Sequence, residues 1–259
     1  MRVFITGASS GIGEAMAREY RRRHPEAIIG LVARREQALA GVAQSLGASL
    51  TPFWPLDIND RGALEAAAHD FLQRFGVPDV VIANAGISAG TVTGEPRDAQ
   101  AFERIMRTNV VAMFDTFSPF VPAMTAAGAG TLVGVASVAG IRGLPGAGGY
   151  SASKAAAISY LESLRVELRR RGVGVVTLVP GFIRTPMTAR NRYPMPFLTE
   201  PDVFARKAID AIASRRSFAV IPWQMRIVVA LLRLLPNALF DAAFARAPRK
   251  ERAREVPPQ

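Results

Sequence analysis

The stretch Thr6-Gly-Ala-Ser-Ser-Gly-Ile-Gly13, TGASSGIG, lies between an apolar run, VFIT at 3–6, and a helical pattern at 12–23. Glycine admits positive φ and lets backbone approach a ligand closely. A helix that starts directly after such a turn offers free N–H groups and the positive end of its dipole to a pyrophosphate. An ordinary strand-to-helix turn would also use glycine for its geometry alone. Three residues separate Gly7 from Gly11 and one separates Gly11 from Gly13, so the spacing differs from the common G-x-G-x-x-G fingerprint. Its place at the first strand–helix junction favours a dinucleotide.

Outward from this turn, short apolar runs alternate with longer helical patterns. The expected strands are 3–6, 27–33, 49–56, 79–85, 131–137, 174–180 and 218–222. Helices are expected near 12–23, 35–46, 60–75, 98–127, 150–171 and 200–214. Several strands are continuously apolar, the pattern of parallel strands covered on both faces. The expected fold is α/β: a Rossmann-like doubly wound sheet of seven mostly parallel strands, with helices on both faces and a C-terminal helical extension. Residues 1–222 form the expected nucleotide-binding unit, and 223–259 an extension and basic tail of the same domain. Residues 185–199, with three prolines, read as a mobile loop. In the extension, Trp223–Arg246, Pro236 should divide two helices, and the charged, proline-ended residues 249–259 should fray.

Apolar residues make up 49% and charged residues 20%, enough for a large core. The absence of cysteine excludes disulfides and thiolate metal sites, and no metal is expected. The chain enters its first strand at once, so a signal peptide is not expected and a cytoplasmic location is. Net charge is +11, yet the arginines are scattered, and no zinc finger, RNA-binding signature or aromatic-laced basic stripe accompanies them. No nucleic-acid partner is expected. The extension's longest wholly apolar run, Ile227–Leu232, is too short to cross a bilayer. It could pack on the protein's own core or a second copy, cover a pocket, or rest weakly on an anionic membrane surface.

The second strand ends in LVARRE. Folds that prefer the unphosphorylated dinucleotide usually carry an acidic residue here. This chain has Ala33, Arg34 and Arg35 instead. A guanidinium can grip a 2′-phosphate that a carboxylate would repel. NADP(H) is therefore expected over NAD(H), with Arg34 the stronger contact, although both arginines could be solvated charges at a helix start.

Tyr150 and Lys154, in YSASK, open a long helical pattern and sit one turn apart on one face. A free phenol titrates near ~10, and a neighbouring ammonium lowers that value toward use as an acid or base. The Ser-Ala-Ser between them is read as keeping the substrate side uncrowded.

Taken together the chain resembles the short-chain dehydrogenase/reductase family. The resemblance rests on T-G-x-x-x-G-x-G, on Asn84-Ala-Gly86 after the fourth strand, and on Asn109 in RTNV. It extends through Ser137 ending the fifth strand, Tyr150-x-x-x-Lys154, and PGFIRTP at Pro180–Pro186. It implies a carbonyl–alcohol oxidoreductase in which Tyr150 is the acid or base and Ser137 donates to the substrate oxygen. Lys154 tunes Tyr150 and holds the nicotinamide ribose, and Asn109 holds a water linking Lys154 to solvent. Gly7, Ser9, Ser10, Gly11, Ile12 and Gly13 of the turn, with Arg34 and Arg35, are the implied cofactor contacts at one end. Asp57 and Ile58 would meet the adenine, and Asn84, Ala85 and Gly86 the adenosine ribose. Tyr150 and Lys154 themselves, with Pro180, Gly181, Ile183 and Thr185, would hold the nicotinamide for pro-S hydride transfer. The family also implies a homodimer or homotetramer built through 98–127 and 150–171. Phe182, Met187, Tyr193 and Met195 suggest an apolar carbonyl or alcohol substrate. A catalytically idle NADPH-binding sensor or scaffold is the alternative, and a peripheral membrane protein a third.

Overall fold

Strand β1 (Arg2–Thr6) runs up the middle of a seven-stranded sheet in the computed structural model, which describes residues 1–189, 191, 193–247 and 250–252. The other strands are β2 (Ile28–Ala33), β3 (Phe53–Pro55), β4 (Val80–Ala83), β5 (Thr131–Val135), β6 (Gly174–Pro180) and β7 (Phe218–Ile221). Their order is β3-β2-β1-β4-β5-β6-β7. Every neighbouring pair is parallel, so "mostly parallel" becomes wholly parallel. The chain winds outward from β1 to β3, then returns to β4 on the other side. That reversal leaves a crevice at the carboxyl ends of β1 and β4, where doubly wound sheets bind ligands.

Both faces are covered, as the continuous apolar runs require. Val3 and Ile5 point into one core with Met16 and Tyr20 of α1 (Gly11–Arg23), Leu39 of α2 (Glu36–Ser45) and Phe204 of α8 (Pro201–Ala213). Phe4, between them, points into the other core. There it meets Phe71 of α3 (Arg61–Phe75) edge-on at 5.5 Å between centroids and Phe120 at 4.9 Å. α4 (Asp98–Met106), α5 (Ala112–Phe117), α6 (Val121–Ala127) and α7 (Gly148–Leu168) lie on this second side of the chain's winding. Asp60 caps α3 by accepting from the Ala63 N–H, as its position before the helix suggests.

Two expected elements break up. Of 49–56 only β3 pairs with β2, while Ala48–Leu50 forms a 3-10 turn. Pro52 and Pro55 have no N–H to give, which suits a short edge strand. The expected helix 98–127 is three helices. A wider π-type turn, Arg107–Val111, joins α4 to α5, and α5 stops before Pro119 and Pro122, which cannot donate to a helical ladder.

The extension forms α9 (Gln224–Leu234) and α10 (Asn237–Phe244), divided at Pro236 as expected. Arg142, in the loop before α7, clasps the break. Its guanidinium donates to the carbonyls of Leu232 and Leu235 and to Asn237 Oδ1, and lies 4.3 Å from the Phe240 ring centroid. Part of loop 185–199 is pinned: the Thr188 hydroxyl bonds the Ile183 and Thr185 carbonyls, and Ile183 pairs with Thr199. Arg190 and Arg192 of that loop lie outside the described residues, as do 248–249 and 253–259 of the tail. Residues 250–252 are described, and they dock rather than fray: Gly90 N–H donates to the Glu251 carbonyl.

Candidate active site

The crevice at the switch point is a cleft of about 560 Å³. The glycine turn forms one wall. Gly7 and Gly11 adopt φ of +68° and +61°, a region alanine avoids. The turn is tied to the end of β4 by two side chains. Thr6 Oγ1 accepts from the N–H groups of Asn84 and Ala85 at 3.2 and 3.3 Å. Asn84 Nδ2 donates to the carbonyls of Thr6 and Gly7 at 3.0 and 3.1 Å. Gly7, Ser9, Ser10, Gly11 and Ile12 line the cleft with Asn84, Ala85 and Gly86. Gly13 does not line it; it lies beneath the turn, against the Gly7 carbonyl and Asn84.

Arg34, Arg35, Asp57 and Ile58 line the cleft at the end of β2 and β3. Arg35 is the arginine that reaches the turn, where its Nη2 donates to Ser10 Oγ at 2.8 Å and Ser9 Oγ at 3.2 Å. Arg34 instead faces Asp57 at 3.9 Å, both half exposed. Asp57 Oδ1 accepts from the backbone and side chain of Asn59. Asn59, Arg104 and Thr108 also line this end. Sequence reasoning missed them, because a polar residue in a helix or turn carries no signal of its own.

At the other end stand Tyr150 and Lys154, on the first turns of α7, with Pro180 and Thr185. Lys154 is buried; its ammonium donates to the Val135 carbonyl at 2.9 Å and lies 5.8 Å from the Tyr150 ring centroid. Burial pushes Lys154 down to about 8. Burial is also the largest influence on Tyr150 and pushes its phenol above the usual value. A hydrogen bond with Ser137 opposes that rise, and Tyr193 adds to it. Ser137 is both turn and site: its Oγ accepts from Ala139 N–H at 3.2 Å, starting a short 3-10 turn, within reach of the phenol.

Asn109 sits in the π-type turn. Its amide brackets Ile87, accepting from its N–H at 2.8 Å and donating to its carbonyl at 3.0 Å. It also donates to Ser153 Oγ at 2.9 Å, and Ser153 donates to the Tyr150 carbonyl. The serines of YSASK therefore do not simply clear the substrate side. Ser151 and Ser153 are buried and face the protein: Ser151 accepts from Leu144 N–H, and Ser153 links Asn109 to the first turn of α7. Gly181 and Ile183 stand off the cleft. Gly181 packs on Met225 of α9, and the Ile183 side chain is in the first core. Phe182 and Tyr193 rings stack edge-on at 6.3 Å beside the site.

Comparison with known proteins finds the same fold elsewhere. A family model described as short chain dehydrogenase matches residues 1–195. An uncharacterized oxidoreductase of Myxococcus xanthus is 37% identical over 243 residues, 93% of this chain and 95% of that protein. The dehydrogenase/reductase SDR family member 7B of Bos taurus is 30% identical over 96% of this chain and 82% of its own length. Among solved structures, a short chain dehydrogenase/reductase from Burkholderia phymatum in complex with NAD superposes with a TM-score of 0.81. It is 26% identical, covering 96% of both chains. An alcohol dehydrogenase from Thermococcus sibiricus complexed with 5-hydroxy-NADP gives a TM-score of 0.75 at 26% identity, over 85% of this chain and 95% of its own.

Proposed function

Because the chain belongs to the short-chain dehydrogenase/reductase family, we propose that it is an NADP(H)-dependent oxidoreductase interconverting a ketone or aldehyde and its alcohol. The observation that carries the reading is the meeting of Tyr150 and Lys154 at one end of the cleft, with Ser137 beside the phenol. The cleft fits a dinucleotide: a glycine turn and helix N-terminus stand at its middle, and two arginines at its far end. When bound, the nicotinamide supplies or accepts the hydride. The chain's own groups manage the proton and the charge. Tyr150 donates a proton to the carbonyl oxygen as charge develops there, and Ser137 donates a hydrogen bond to the same atom. The Lys154 ammonium, 5.8 Å from the Tyr150 ring centroid, favours the phenolate that Tyr150 becomes and would hold the nicotinamide ribose. Asn109 fixes Ile87 and, through Ser153, the first turn of α7, so it positions Tyr150; by resemblance it also holds the water that serves Lys154. The body of the substrate meets Phe182, Tyr193 and Met187 and is apolar.

NADP(H) is favoured over NAD(H) because Arg35 and the hydroxyls of Ser9 and Ser10 form a ready cluster of donors beside Arg34. Reduction of a carbonyl panel, followed by NADPH absorbance with NADH in parallel, tests the activity. In Arg35→Ala and Arg34→Ala the preference for NADPH should fall about 10–100-fold, the worth of a lost charge-assisted hydrogen bond. An unchanged preference in both variants rejects the assignment.

The protein would act as a homodimer or homotetramer. Phe102, Phe114 and Val166, on α4, α5 and α7, are exposed apolar residues on the faces such an assembly would cover. A cytoplasmic location, with weak attachment to a membrane surface, is a second proposal carried by α9. Trp223, Ile227, Leu231 and Leu234 are 55–81% exposed at helical spacing, with Arg226 and Arg233 on the same helix. Such a stripe suits an anionic interface. Vesicles of phosphatidylglycerol should co-sediment the protein, and phosphatidylcholine should not. The Leu231→Glu, Leu234→Glu variant should stay in the supernatant; equal binding by that variant rejects the helix as the anchor.

A further inference from the structure

The last described residues return to the active site. Gly90, in the loop after β4, pairs in parallel with Arg252, and no side chain fits there because a Cβ on Gly90 would overlap the Lys250 carbonyl. Arg252 anchors this strap. Its guanidinium forms paired bonds with Asp98, at 3.0 Å for the closest, and one of 2.8 Å with Glu95. Asp98 is 4% exposed and Arg252 is half-buried, so the anchor is sheltered from solvent screening. The next residue of the loop, Thr91, is tied to the start of α7: its N–H donates to the Gly146 carbonyl, and its hydroxyl accepts from Gly149 N–H at 2.9 Å. Tail, loop and the helix that carries Tyr150 are thereby linked by hydrogen bonds.

Its consequence is the position of Lys250. The ammonium lies 5.2 Å from the centroid of the Tyr150 ring. No carboxylate pairs with it among the described residues, and burial pushes it down to about 8. An ammonium withdrawn from water without a counter-ion costs stability unless a ligand supplies the charge. A tyrosine face recovers only part of that cost. The site thus has two lysines around one phenol, with Lys154 bound to a backbone carbonyl and Lys250 without a carboxylate partner among the described residues.

Resting on the reading of Tyr150 as the group at the reacting carbonyl, we propose that Lys250 determines substrate class: the carbonyl substrate carries a carboxylate a few bonds from the reacting carbon. Its carboxylate pairs with the Lys250 ammonium while its carbonyl oxygen meets Tyr150 and Ser137. The apolar residues Phe182 and Tyr193 hold the chain between or beyond these two groups. The tail is then part of the substrate pocket, and Arg252 is a positioning residue for Lys250.

The test compares 4-oxopentanoate with its methyl ester as substrates for wild type, Lys250→Gln and Lys250→Arg. In parallel, calorimetry follows pentanoate and 1-pentanol binding to the NADPH-loaded proteins. In Lys250→Gln the KM for the acid should rise about tenfold or more, as expected for a lost charge-assisted hydrogen bond, while the ester is unaffected. Lys250→Arg should restore most of the difference, and pentanoate binding should weaken in step. Equal losses of kcat on both substrates would show that Lys250 acts on Tyr150 instead, and pentanoate binding no better than pentanol would remove the anion site. If wild type reduces no carbonyl, the proposed activity fails, and the calorimetry alone decides the role of Lys250.

Discussion

Replacing Tyr150 by phenylalanine should lower carbonyl reduction by about 10²–10⁴-fold, the usual worth of a positioned proton donor, and leave dinucleotide affinity within a few-fold. The change removes one oxygen from a half-buried ring. Its structural cost is at most one polar contact of that oxygen, about 1 kcal/mol, so the variant should fold. Fluorescence titration with NADPH beside steady-state turnover separates the two effects. Wild-type turnover in the variant would end the assignment of Tyr150 as the acid.

The pH dependence sharpens that prediction. Burial raises the phenol, so Tyr150 is protonated throughout the neutral range and ready to donate. Lys154 is lowered, to about 8, and its cationic form is present below that value and lost above it. The value of kcat/KM for reduction, measured at limiting dinucleotide so that it reports the free enzyme, should therefore be flat at lower pH. It should fall as pH rises through about 8. Lys154→Met should lose this step together with most of the activity; a fall that survives in Lys154→Met belongs to another group.

The sheet was legible because its evidence is redundant: of seven strand-like runs several are continuously apolar, which leaves little choice but buried parallel strands, and only the mixed run at 49–56 shrank to a short edge strand. The turn at Gly7–Gly13 and the set at Asn109, Ser137, Tyr150 and Lys154 were legible as motifs; Gly7, Gly11, Tyr150 and Lys154 line one cleft, while Asn109 reaches the Tyr150 turn only through Ser153. What stayed hidden depended on contacts between distant residues. Nothing in RTNV says that Asn109 will bracket the backbone of Ile87 and widen a helix turn. Arg34 and Arg35 look alike in sequence, and only the backbone direction after β2 decides that Arg35 reaches Ser9 and Ser10. The tail reads as solvated charge. Its docking needs Gly90 and Asp98, more than 150 residues away in the case of Arg252 and Asp98. Local pattern therefore sets the frame, and long-range polar pairing finishes the site.

Gly13→Ala sets two effects of opposite sign against each other. Alanine in a helix is favoured over glycine by roughly 0.5–1 kcal/mol, and Gly13 lies in the first turn of α1. Against this, the new methyl would overlap the Gly7 carbonyl oxygen and come within 2.6 Å of Asn84 Nδ2. Neither neighbour can step aside. Gly7 is held at positive φ, and Asn84 spends its amide on the carbonyls of Thr6 and Gly7 while its own N–H is held by Thr6. Overpacking of this kind costs about 1–3 kcal/mol or more, so the clash wins, and the turn is what gives way. For a chain of this size each kcal/mol lowers Tm by about 2–4 °C. The displaced turn should also lose its ligand: wild type at 100 times Kd of NADPH gains about 2.7 kcal/mol from binding, and Gly13→Ala should gain little. Gly41→Ala is the control. It lies in α2 with open space where its Cβ would stand, so there the propensity term acts alone and Tm should rise. A Gly13→Ala variant with undiminished Tm and an undiminished NADPH-induced shift would mean that the turn is not the rigid cradle its contacts describe.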